Sequence, residues 1–393
     1  MSFSNIIKQK NILLVPFSWL YKAGVFFYHS LYDLKILKSY RPDVPAICVG
    51  NLSVGGTGKS PMVEYLLRLL TDLTSSDSYR DSPPKESFRT KERGAMPILL
   101  SEQSKLHAAV ISRGYKRKTK GFLLAGENTV ASDIGDEPMQ FHKKFPGVAV
   151  AVGEDRAPAI EQLLKQKPEI NVIILDDAYQ HRAVTAGFNI LLTDYNNIFT
   201  GDGYLPAGTL RDLKSNYKRA DVIVVTKCDE YLGNANRQRV INNIRPLSHQ
   251  QVFFTVIDYG SIYNVFDNER RELKEVRAVV LVTGIANPEP LVDYLKRFNL
   301  KVRHFSFPDH YNFSEKDIGD ILDAYQSAGI ENKIILTTEK DAVRLMEWER
   351  LKEVPVFALP VQHRFLFEEG NAFDNCIKNY LLRGMPGGYN KDT

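Results

Sequence analysis

Short apolar runs alternate with segments of helical periodicity between residue 46 and about residue 226. Six runs are typical of buried strands: residues 46–49, 108–112, 147–152, 171–175, 188–192 and 221–226. Apolar side chains recur at helical spacing from Met62 to Leu70, directly after the first run. This alternation predicts an α/β fold, in which a mostly parallel sheet carries helices on both faces.

A second, smaller α/β lobe is predicted over residues 276–393. The alternation restarts there, with candidate strands at residues 278–282, 302–306 and 333–337. The first domain then covers residues 42–250. Within it, residues 72–105 are rich in Ser, Asp, Lys, Arg and Pro and have little apolar periodicity, which predicts a surface insertion without catalytic residues.

A two-stranded linker is predicted between the two lobes, over residues 251–275. Two short apolar runs, residues 251–257 and 261–266, flank the sequence Asp258-Tyr-Gly260, which is typical of a hairpin turn. We therefore expect the two runs to pair with each other.

Residues 1–41 are apolar, aromatic and basic, and the polar residues of the apolar stretch 12–37 fall on one helical stripe. That stripe consists of Ser18, Lys22, His29 and Asp33. Lys22 interrupts the stretch before it reaches the roughly 18 residues of a membrane-spanning helix, and no small-residue cleavage site indicates a secretory signal. Such an amphipathic helix is typical of the cytoplasmic face of a membrane. The alternative is a helix packed on the core of the domain.

Composition sets further limits on the class of protein. The chain has 393 residues, of which 44% are hydrophobic and 25% charged, enough apolar content for a large core. A net charge of +4 is too small to indicate nucleic-acid binding across the surface. Cys48, Cys228 and Cys376 are far apart in sequence, which indicates neither a zinc site nor a disulfide framework and favours a reducing compartment.

The sequence Gly50-Asn-Leu-Ser-Val-Gly-Gly-Thr-Gly-Lys-Ser60 predicts a loop that binds the phosphates of a nucleotide. It lies between a predicted strand and a helix, where glycines let the backbone approach an anion. Lys59 can reach the β- and γ-phosphates, and the Ser60 hydroxyl can ligate Mg²⁺. The predicted nucleotide-binding residues are Ser53, Val54, Gly55, Gly56, Thr57, Gly58, Lys59 and Ser60. An ordinary glycine-rich turn is the alternative, since Ser53 replaces the usual glycine.

Asp176 and Asp177 come directly after the apolar run 171–175. In parallel sheets the ligand crevice lies beyond the carboxyl ends of the strands, so these carboxylates are placed to bind Mg²⁺. Two adjacent aspartates would repel each other without a nearby cation, which favours a metal site. The alternative is an Asp-rich turn that caps the next helix.

Other charged residues are weaker candidates. Asp136 and Glu137 form a short acidic turn before Pro138, and a carboxylate near a sugar hydroxyl is the base that a small-molecule kinase needs. His310 is as consistent with a structural role as with a catalytic one. Two segments, residues 153–156 and 210–212, each carry an arginine beside a carboxylate, which suits either phosphate binding or a surface ion pair.

The sequence Thr226-Lys-Cys-Asp229 follows the last predicted strand of the first domain. It resembles the element with which GTPases recognise the guanine base. This match supports an alternative function, a GTPase or ATPase switch, which would hydrolyse nucleotide without transferring phosphate to an acceptor.

Taken together, the motifs resemble those of the tetraacyldisaccharide 4′-kinase family, the lipid A 4′-kinases. They occur in the family's order over nearly the whole chain, at residues 49–61, 112–115, 135–138, 176–181, 205–208 with 210–211, 284–288, 307–311 and 338–341. The family itself carries Thr or Ser at position 53. It usually has Gly-Phe where this chain has Ala178-Tyr179, and Glu where this chain has Asp212.

The resemblance implies a kinase that transfers the γ-phosphate of ATP, with Mg²⁺, to the 4′-hydroxyl of a tetraacyldisaccharide 1-phosphate. It implies Asp136 as the catalytic base, assisted by His310 from the second lobe when the lobes close. The implied metal ligands are Ser60, Asp176 and Asp177. The residues implied to contact substrate or to support the site are Glu137, Arg156, Gln180, His181, Arg211 and Asp212.

The resemblance also implies a location. An acylated disaccharide resides in the inner membrane of bacteria, so we expect the enzyme at its cytoplasmic face, with the helix at residues 12–37 as the docking surface. The expected partners are the lipid substrate and the membrane surface. We expect no nucleic acid and infer no protein partner.

Overall fold

The computed structural model describes residues 12–74 and 106–384. Its helices are α1 (Val15–Asp33), α2 (Lys59–Thr74), α3 (Ala131–Ile134), α4 (Asp136–Lys144), α5 (Arg156–Gln166), α6 (Asn234–Ile244), α7 (Glu289–Leu295), α8 (Glu315–Ser327), α9 (Glu339–Leu345) and α10 (Gly370–Gly384). Its strands are β1 (Ala46–Asn51), β2 (Ala108–Ser112), β3 (Leu123–Leu124), β4 (Ala149–Val152), β5 (Val172–Asp176), β6 (Phe188–Asp194), β7 (Val222–Thr226), β8 (Gln251–Tyr259), β9 (Ile262–Asn264), β10 (Arg270–Arg271), β11 (Ala278–Thr283), β12 (Lys301–Ser306), β13 (Lys333–Thr338), β14 (Val356–Leu359) and β15 (Val361–Phe365).

The larger sheet has nine strands in the order β15-β8-β7-β6-β1-β5-β2-β4-β3. All neighbouring pairs are parallel except the two outermost, β15 with β8 and β3 with β4. Each of the six strands predicted in the first domain is present in this sheet. The predicted α/β fold with a mostly parallel sheet is therefore confirmed.

The core of the first lobe lies on both faces of this sheet. Successive residues of β1 alternate between the faces, as a strand requires. Ile47 and Val49 belong to the apolar cluster that α2 covers, whereas Cys48 belongs to the cluster on the opposite face. Helices on both faces leave the carboxyl ends of the parallel strands open, which is where ligands bind in such folds.

The smaller sheet has six strands in the order β10-β9-β14-β13-β11-β12. Its four strands β11 to β14 are parallel, and β9 and β10 add an antiparallel edge. The three strands predicted for the second lobe lie in this sheet.

The predicted hairpin between residues 251–257 and 261–266 is wrong. Strand β8 belongs to the larger sheet, where it pairs with β7 and β15, and β9 belongs to the smaller sheet, where it pairs with β10 and β14. The chain crosses between sheets after β8 and returns between β14 and β15. Gly260 N donates to Pro360 O at 3.1 Å, so the two crossings lie side by side. The apolar pattern gave the strands but not their partners, because β15 is distant in sequence.

The end of the chain returns to the first lobe. Strand β15 completes the larger sheet, and α10 buries Phe373, Ile377 and Leu381 in the same apolar cluster as α2. Residues 361–384 thus pack on the first lobe, whereas the sequence pattern had assigned them to the second. The predicted insertion, residues 72–105, overlaps the end of α2 and otherwise lies outside the described residues.

Helix α1 docks on the first lobe through its polar stripe. Ser18 Oγ donates to the Tyr204 carbonyl at 2.9 Å, and His29 Nε2 lies 2.6 Å from Asp212 Oδ1. At the end of the helix, Arg182 donates to Asp33 at 2.8 Å. The helix therefore packs on its own domain, as the alternative predicted, but through its polar stripe rather than its apolar face.

The apolar face of α1 points away from the protein. Its large exposed side chains are Phe17, Trp19, Leu20, Phe26 and Phe27, each at least 59% exposed. Within residues 12–74 and 106–384, no helix combines the length and the hydropathy needed to cross a membrane.

Candidate active site

Hydrogen bonds from three directions hold the phosphate-binding loop, residues 53–60. Asn51 Nδ2, at the end of β1, donates to Thr57 Oγ1 at 2.9 Å, and Thr226 Oγ1, at the end of β7, donates to the Thr57 carbonyl at 2.9 Å. Ser53, at the start of the loop, pairs with Leu210 as an isolated antiparallel bridge. The loop is therefore pre-formed between β1 and α2, with Val54, Gly55 and Gly56 exposed to a ligand.

His363 supports the same loop from behind. Its Nε2 lies 2.8 Å from the carbonyl of Gly58, and its Nδ1 lies 2.9 Å from Thr255 Oγ1. Gly58 has φ +87°, and a Cβ there would lie 2.8 Å from the imidazole. Burial lowers the pKa of His363 to about 4, so the ring is neutral and can donate to the carbonyl from Nε2.

Lys59, Asp177 and Arg211 form a charged group beside the loop. Lys59 Nζ lies 3.9 Å from Asp177 Oδ1. The two terminal nitrogens of Arg211 donate hydrogen bonds to the two carboxylate oxygens of Asp177. Arg211 also donates to Asn51 Oδ1 at 2.6 Å. Burial would raise the pKa of Asp177, but the Lys59 ammonium and the Arg211 guanidinium outweigh it and lower the pKa to about 2.

Asp176 has the opposite environment. Its side chain is buried, and within residues 12–74 and 106–384 no partner lies in hydrogen-bonding geometry with either carboxylate oxygen. Burial raises its pKa to about 7, and the charges of Glu137 and Asp177 add to the effect. A buried carboxylate without partners is unfavourable unless a cation pairs with it.

This carboxylate fits the chemistry of Mg²⁺. No cluster of three or more Asp, Glu, His or Cys side chains able to hold a metal occurs in the part of the chain that the structure describes. Mg²⁺ in phosphate-transfer sites is usually held by one or two carboxylates together with phosphates and water, so one free carboxylate beside the loop suffices. Asp177 already accepts hydrogen bonds from Arg211 on both oxygens, so Asp176 is the better Mg²⁺ ligand of the two.

Arg156, Gln180 and His181 lie around the two aspartates. Arg156 is buried and donates to the carbonyls of Gly153 and Glu154, and its Nε and Nη2 have no partner. Gln180 Nε2 donates to the Asp177 carbonyl at 3.2 Å, which leaves its Oε1 without a partner. Burial, together with Arg156, lowers the pKa of His181 to about 4, so its imidazole is neutral.

Asp136 and His310 meet across the two lobes. Asp136 begins α4, and His310 lies in the loop after β12 with a φ of +60°. His310 Nδ1 lies 2.7 Å from Asp136 Oδ2, and the two side chains are each 11% exposed. Glu137 follows Asp136 on α4 and is close enough to Asp176 to raise the pKa of that carboxylate. The pair of Asp136 and His310 therefore lies near Asp176.

Two cations of α9 complete the group around this dyad. Lys340 Nζ lies 3.0 Å from His310 Nε2 and 2.9 Å from Asp309 Oδ1. Arg344 Nε lies 3.8 Å from Asp136 Oδ2. An ammonium can only donate, so Nε2 of His310 accepts and the ring proton lies on Nδ1, which donates to Asp136.

The motifs of the second lobe converge on His310. Thr338 caps α9 by accepting from the Asp341 amide, and Asp341 Oδ2 accepts from the Gly284 amide at 2.8 Å. The Gly284 carbonyl in turn accepts from the His310 amide at 3.1 Å. These bonds hold the backbone of His310 in a conformation that residues with a side chain adopt rarely.

The side chain of Asp212 contacts helix α1 rather than the phosphate-binding loop. Its buried carboxylate binds His29 of α1, accepts from Asn216 Nδ2 at 2.6 Å, and lies 3.3 Å from Arg219 Nη2. Of the residues that the sequence suggested as substrate contacts, this one therefore anchors the N-terminal helix.

Three residues at the site were not predicted from the sequence. Lys340 lies within the motif at residues 338–341 but had no assigned role, and Arg344 lies one helical turn further on the same face. His363 lies in β15, a strand that the apolar pattern did not predict. Spacing could have suggested Arg344, but no local signal points to His363.

A family model described as tetraacyldisaccharide-1-P 4′-kinase, LpxK, matches residues 10–76 and 98–381. The chain belongs to the LpxK family. The match covers both lobes and includes both the phosphate-binding loop and the pair of Asp136 and His310. It confirms the resemblance found in the sequence and removes the support for a GTPase switch.

Individual members of the family are similar along nearly their whole length. The tetraacyldisaccharide 4′-kinase of Flavobacterium johnsoniae is 41% identical over 95% of this chain and 98% of its own. That of Bacteroides thetaiotaomicron is 38% identical over 94% and 92%. The crystal structure of the "apo" form of LpxK from Aquifex aeolicus in complex with ATP is 30% identical, with a TM-score of 0.67 over 94% of this chain and 98% of that one.

The unpaired carboxylate of Asp176 predicts a stability that depends on pH in the ligand-free enzyme. Its pKa is higher in the folded than in the unfolded chain, so folding is penalised increasingly as pH rises from about 4 to about 7. Asp176→Asn should therefore stabilise the protein at about pH 8, by on the order of 3 kcal/mol in urea unfolding, and much less near pH 4.

Asp177→Asn is the matched control, with the opposite sign. The folded pKa of Asp177 is depressed, so its charge stabilises the protein above about pH 4, and the variant should lose stability at about pH 8. A loss of stability in both variants at that pH would contradict the account of Asp176.

Proposed function

We propose that Asp136 is the base of the tetraacyldisaccharide 4′-kinase reaction and that His310 orients it. In that reaction the γ-phosphate of ATP is transferred to the 4′-hydroxyl of a tetraacyldisaccharide 1-phosphate. The observation that carries the proposal is the 2.7 Å contact between Asp136 and His310, next to Glu137, whose charge raises the pKa of Asp176.

The protonation of His310 determines what Asp136 can do. Lys340 donates to Nε2, so Nδ1–H donates to Oδ2 of Asp136 and holds the carboxylate in place. Oδ1 is then the oxygen that accepts the proton of the 4′-hydroxyl as the phosphoryl group leaves ATP. Phosphoryl transfer depends mainly on positioning and charge, so a fixed carboxylate is the contribution that a base can make.

The phosphate-binding loop and its neighbours hold the nucleotide. Residues 53–60 would surround the β- and γ-phosphates of ATP, with Lys59 on the γ-phosphate side beside Asp177. Ser60 and Asp176 would hold Mg²⁺. The hydrogen bonds from Arg211 would keep Asp177 in place next to them. Mg²⁺, when bound, neutralises the charge that collects on the phosphate oxygens.

The remaining polar side chains are suited to the anionic and hydroxyl groups of the substrates. Arg156 has unpaired guanidinium nitrogens, which match phosphate oxygens. Gln180, with its free amide oxygen, and the neutral His181 suit sugar hydroxyls or bound water. Glu137 would lie on the acceptor side, next to Asp136.

Asp136→Asn tests the base directly. We expect the catalytic constant for phosphate transfer to the disaccharide lipid in detergent micelles to fall about 100- to 10,000-fold, because amide nitrogen and oxygen cannot accept the proton. ATP affinity should stay close to that of the wild type, since Asp136 acts in the chemical step.

Asp320→Asn, on the exposed outer side of α8, is the control for a lost carboxylate and should keep wild-type activity. Transfer by Asp136→Asn at the wild-type rate would remove Asp136 as the base while leaving the kinase activity in place.

The apolar face of α1 supports a position at the cytoplasmic face of the inner membrane. Its polar stripe contacts the first lobe, and none of the described residues covers Trp19, Phe26 and the other large apolar side chains. Burying them among lipid headgroups and acyl chains is favourable. The acylated substrate then reaches the site without leaving the bilayer.

Trp19→Ser with Phe26→Ser should weaken sedimentation with vesicles that contain anionic phospholipid, by about 1.5 to 3 kcal/mol for each side chain. The two residues are seven positions apart and share one face of the helix. Tyr231→Ser, at a site 90% exposed elsewhere on the first lobe, is the control. Equal vesicle binding by all three proteins would contradict the membrane role.

A further inference from the structure

A buried ionic bridge joins the two lobes at a distance from the reacting groups. Lys144, the last residue of α4, places its ammonium between two carboxylates: Glu64 of α2 at 2.5 Å, and Glu339 at the start of α9 in close contact. Glu64 is fully buried and Glu339 is 5% exposed. One cation from the first lobe therefore pairs with a carboxylate from each lobe.

Other donors satisfy the remaining oxygens of the two carboxylates. Glu64 accepts from Gln140 Nε2 at 2.7 Å and from Arg68 Nη1 at 3.2 Å. Glu339 accepts from the Tyr263 hydroxyl at 3.1 Å and from the amide of Val361 at 3.3 Å. A buried carboxylate pair of this kind is stable only while its shared cation is present.

Each of the three helices at this bridge also carries a part of the site. Helix α2 begins with Lys59, α4 begins with Asp136, and α9 carries Lys340, the residue after Glu339 that contacts His310. Helix α4 spans nine residues, so Asp136 lies about 12 Å from Lys144 along a rigid rod. Moving Lys144 relative to Glu339 would therefore move Asp136 relative to His310.

We propose that Lys144 is a positioning residue, which fixes the separation of the two lobes at which Asp136 meets His310. It contacts neither reacting group and acts through α4 and α9. The bridge gives the site a defined closed arrangement, whereas a solvent-exposed ion pair would contribute little. The catalytic consequence rests on the proposed role of Asp136, but the effect on lobe separation does not.

The proposal predicts two coupled effects of Lys144→Met. Without Lys144, Glu339 loses its cation and Glu64 keeps only Arg68, so the two carboxylates repel each other and the lobes separate. The catalytic constant then falls roughly 10- to 100-fold with little change in the KM for ATP. Adding Glu339→Gln removes the repulsion and raises the rate toward that of Glu339→Gln alone. Lys143→Met, which removes the exposed neighbouring cation, should change neither the separation of the lobes nor the catalytic constant.

Lobe separation is measured as the distance between two nitroxide spin labels by pulsed electron paramagnetic resonance. The labels are attached to cysteines introduced at Lys165 of α5 and Asp320 of α8, both exposed, in a Cys376→Ser background. We expect a narrow distribution in the wild type, a broader or longer one in Lys144→Met, and in Lys144→Met/Glu339→Gln a distribution that narrows toward that of Glu339→Gln alone. A narrow, unchanged distribution in a folded Lys144→Met protein would overturn the proposal, even if its activity is lost.

Glu339→Gln alone keeps the test decisive if Lys144→Met fails to fold. It leaves Lys144 paired with Glu64 and creates no unpaired buried charge, but it replaces the charged contact between lobes by a neutral one. We expect a folded enzyme with a broadened distance distribution and a catalytic constant lowered about 3- to 10-fold. An unchanged distribution and rate would overturn the proposal. Full activity of Asp136→Asn would refute the base and leave the distance result standing.

Discussion

The contact between Asp136 and His310 depends on two lobes being held together, and most of the structure around the site serves that requirement. The carboxylate comes from the first turn of a helix in the first lobe, and the imidazole from a loop in the second. Neither lobe has the pair by itself. The chain crosses between the two sheets twice, and the crossings lie side by side at Gly260 and Pro360, which leaves a narrow connection. Contacts beyond that connection, such as those of Lys144 and Arg344, must set the alignment.

Residues 211 and 212 contact both helix α1 and the side chains beside the phosphate-binding loop. The backbone carbonyl of Arg211 accepts from Tyr21 of α1, and its side chain holds Asp177. The next residue, Asp212, binds His29 of α1. Because adjacent residues serve both ends, the orientation of α1 is fixed relative to the phosphate-binding loop.

Local sequence patterns predicted the elements well and their long-range pairing less well. Most strands of both lobes and the phosphate-binding loop follow from apolar periodicity and from glycine spacing, which act over a few residues. Strands β3, β10, β14 and β15 were not predicted. The hairpin expected after Gln251 failed because the true partner of β8 is β15, about a hundred residues later, and strand pairing at that range leaves no local signal. The polar stripe of α1 was found correctly, but the surface that it docks on was not.

Site residues divide in the same way. Asp176 and Asp177 follow a buried strand, so their position at the open edge of the sheet was predictable, yet their opposite pKa shifts depend on Arg211 and on burial, which no motif encodes. Asp212 was expected to contact the substrate or support the site because of the resemblance to the family, and only tertiary packing directs its side chain to α1. The role of Lys340 required the position of His310 to be known first.

The most direct test of the account is a crystal structure with a non-hydrolysable ATP analogue, Mg²⁺ and the disaccharide lipid bound together. The account predicts the 4′-hydroxyl within about 3 Å of Asp136 Oδ1, with His310 still bonded to Oδ2. A 4′-hydroxyl that lies against Asp176 or Glu137 instead, with Asp136 out of reach, would contradict it.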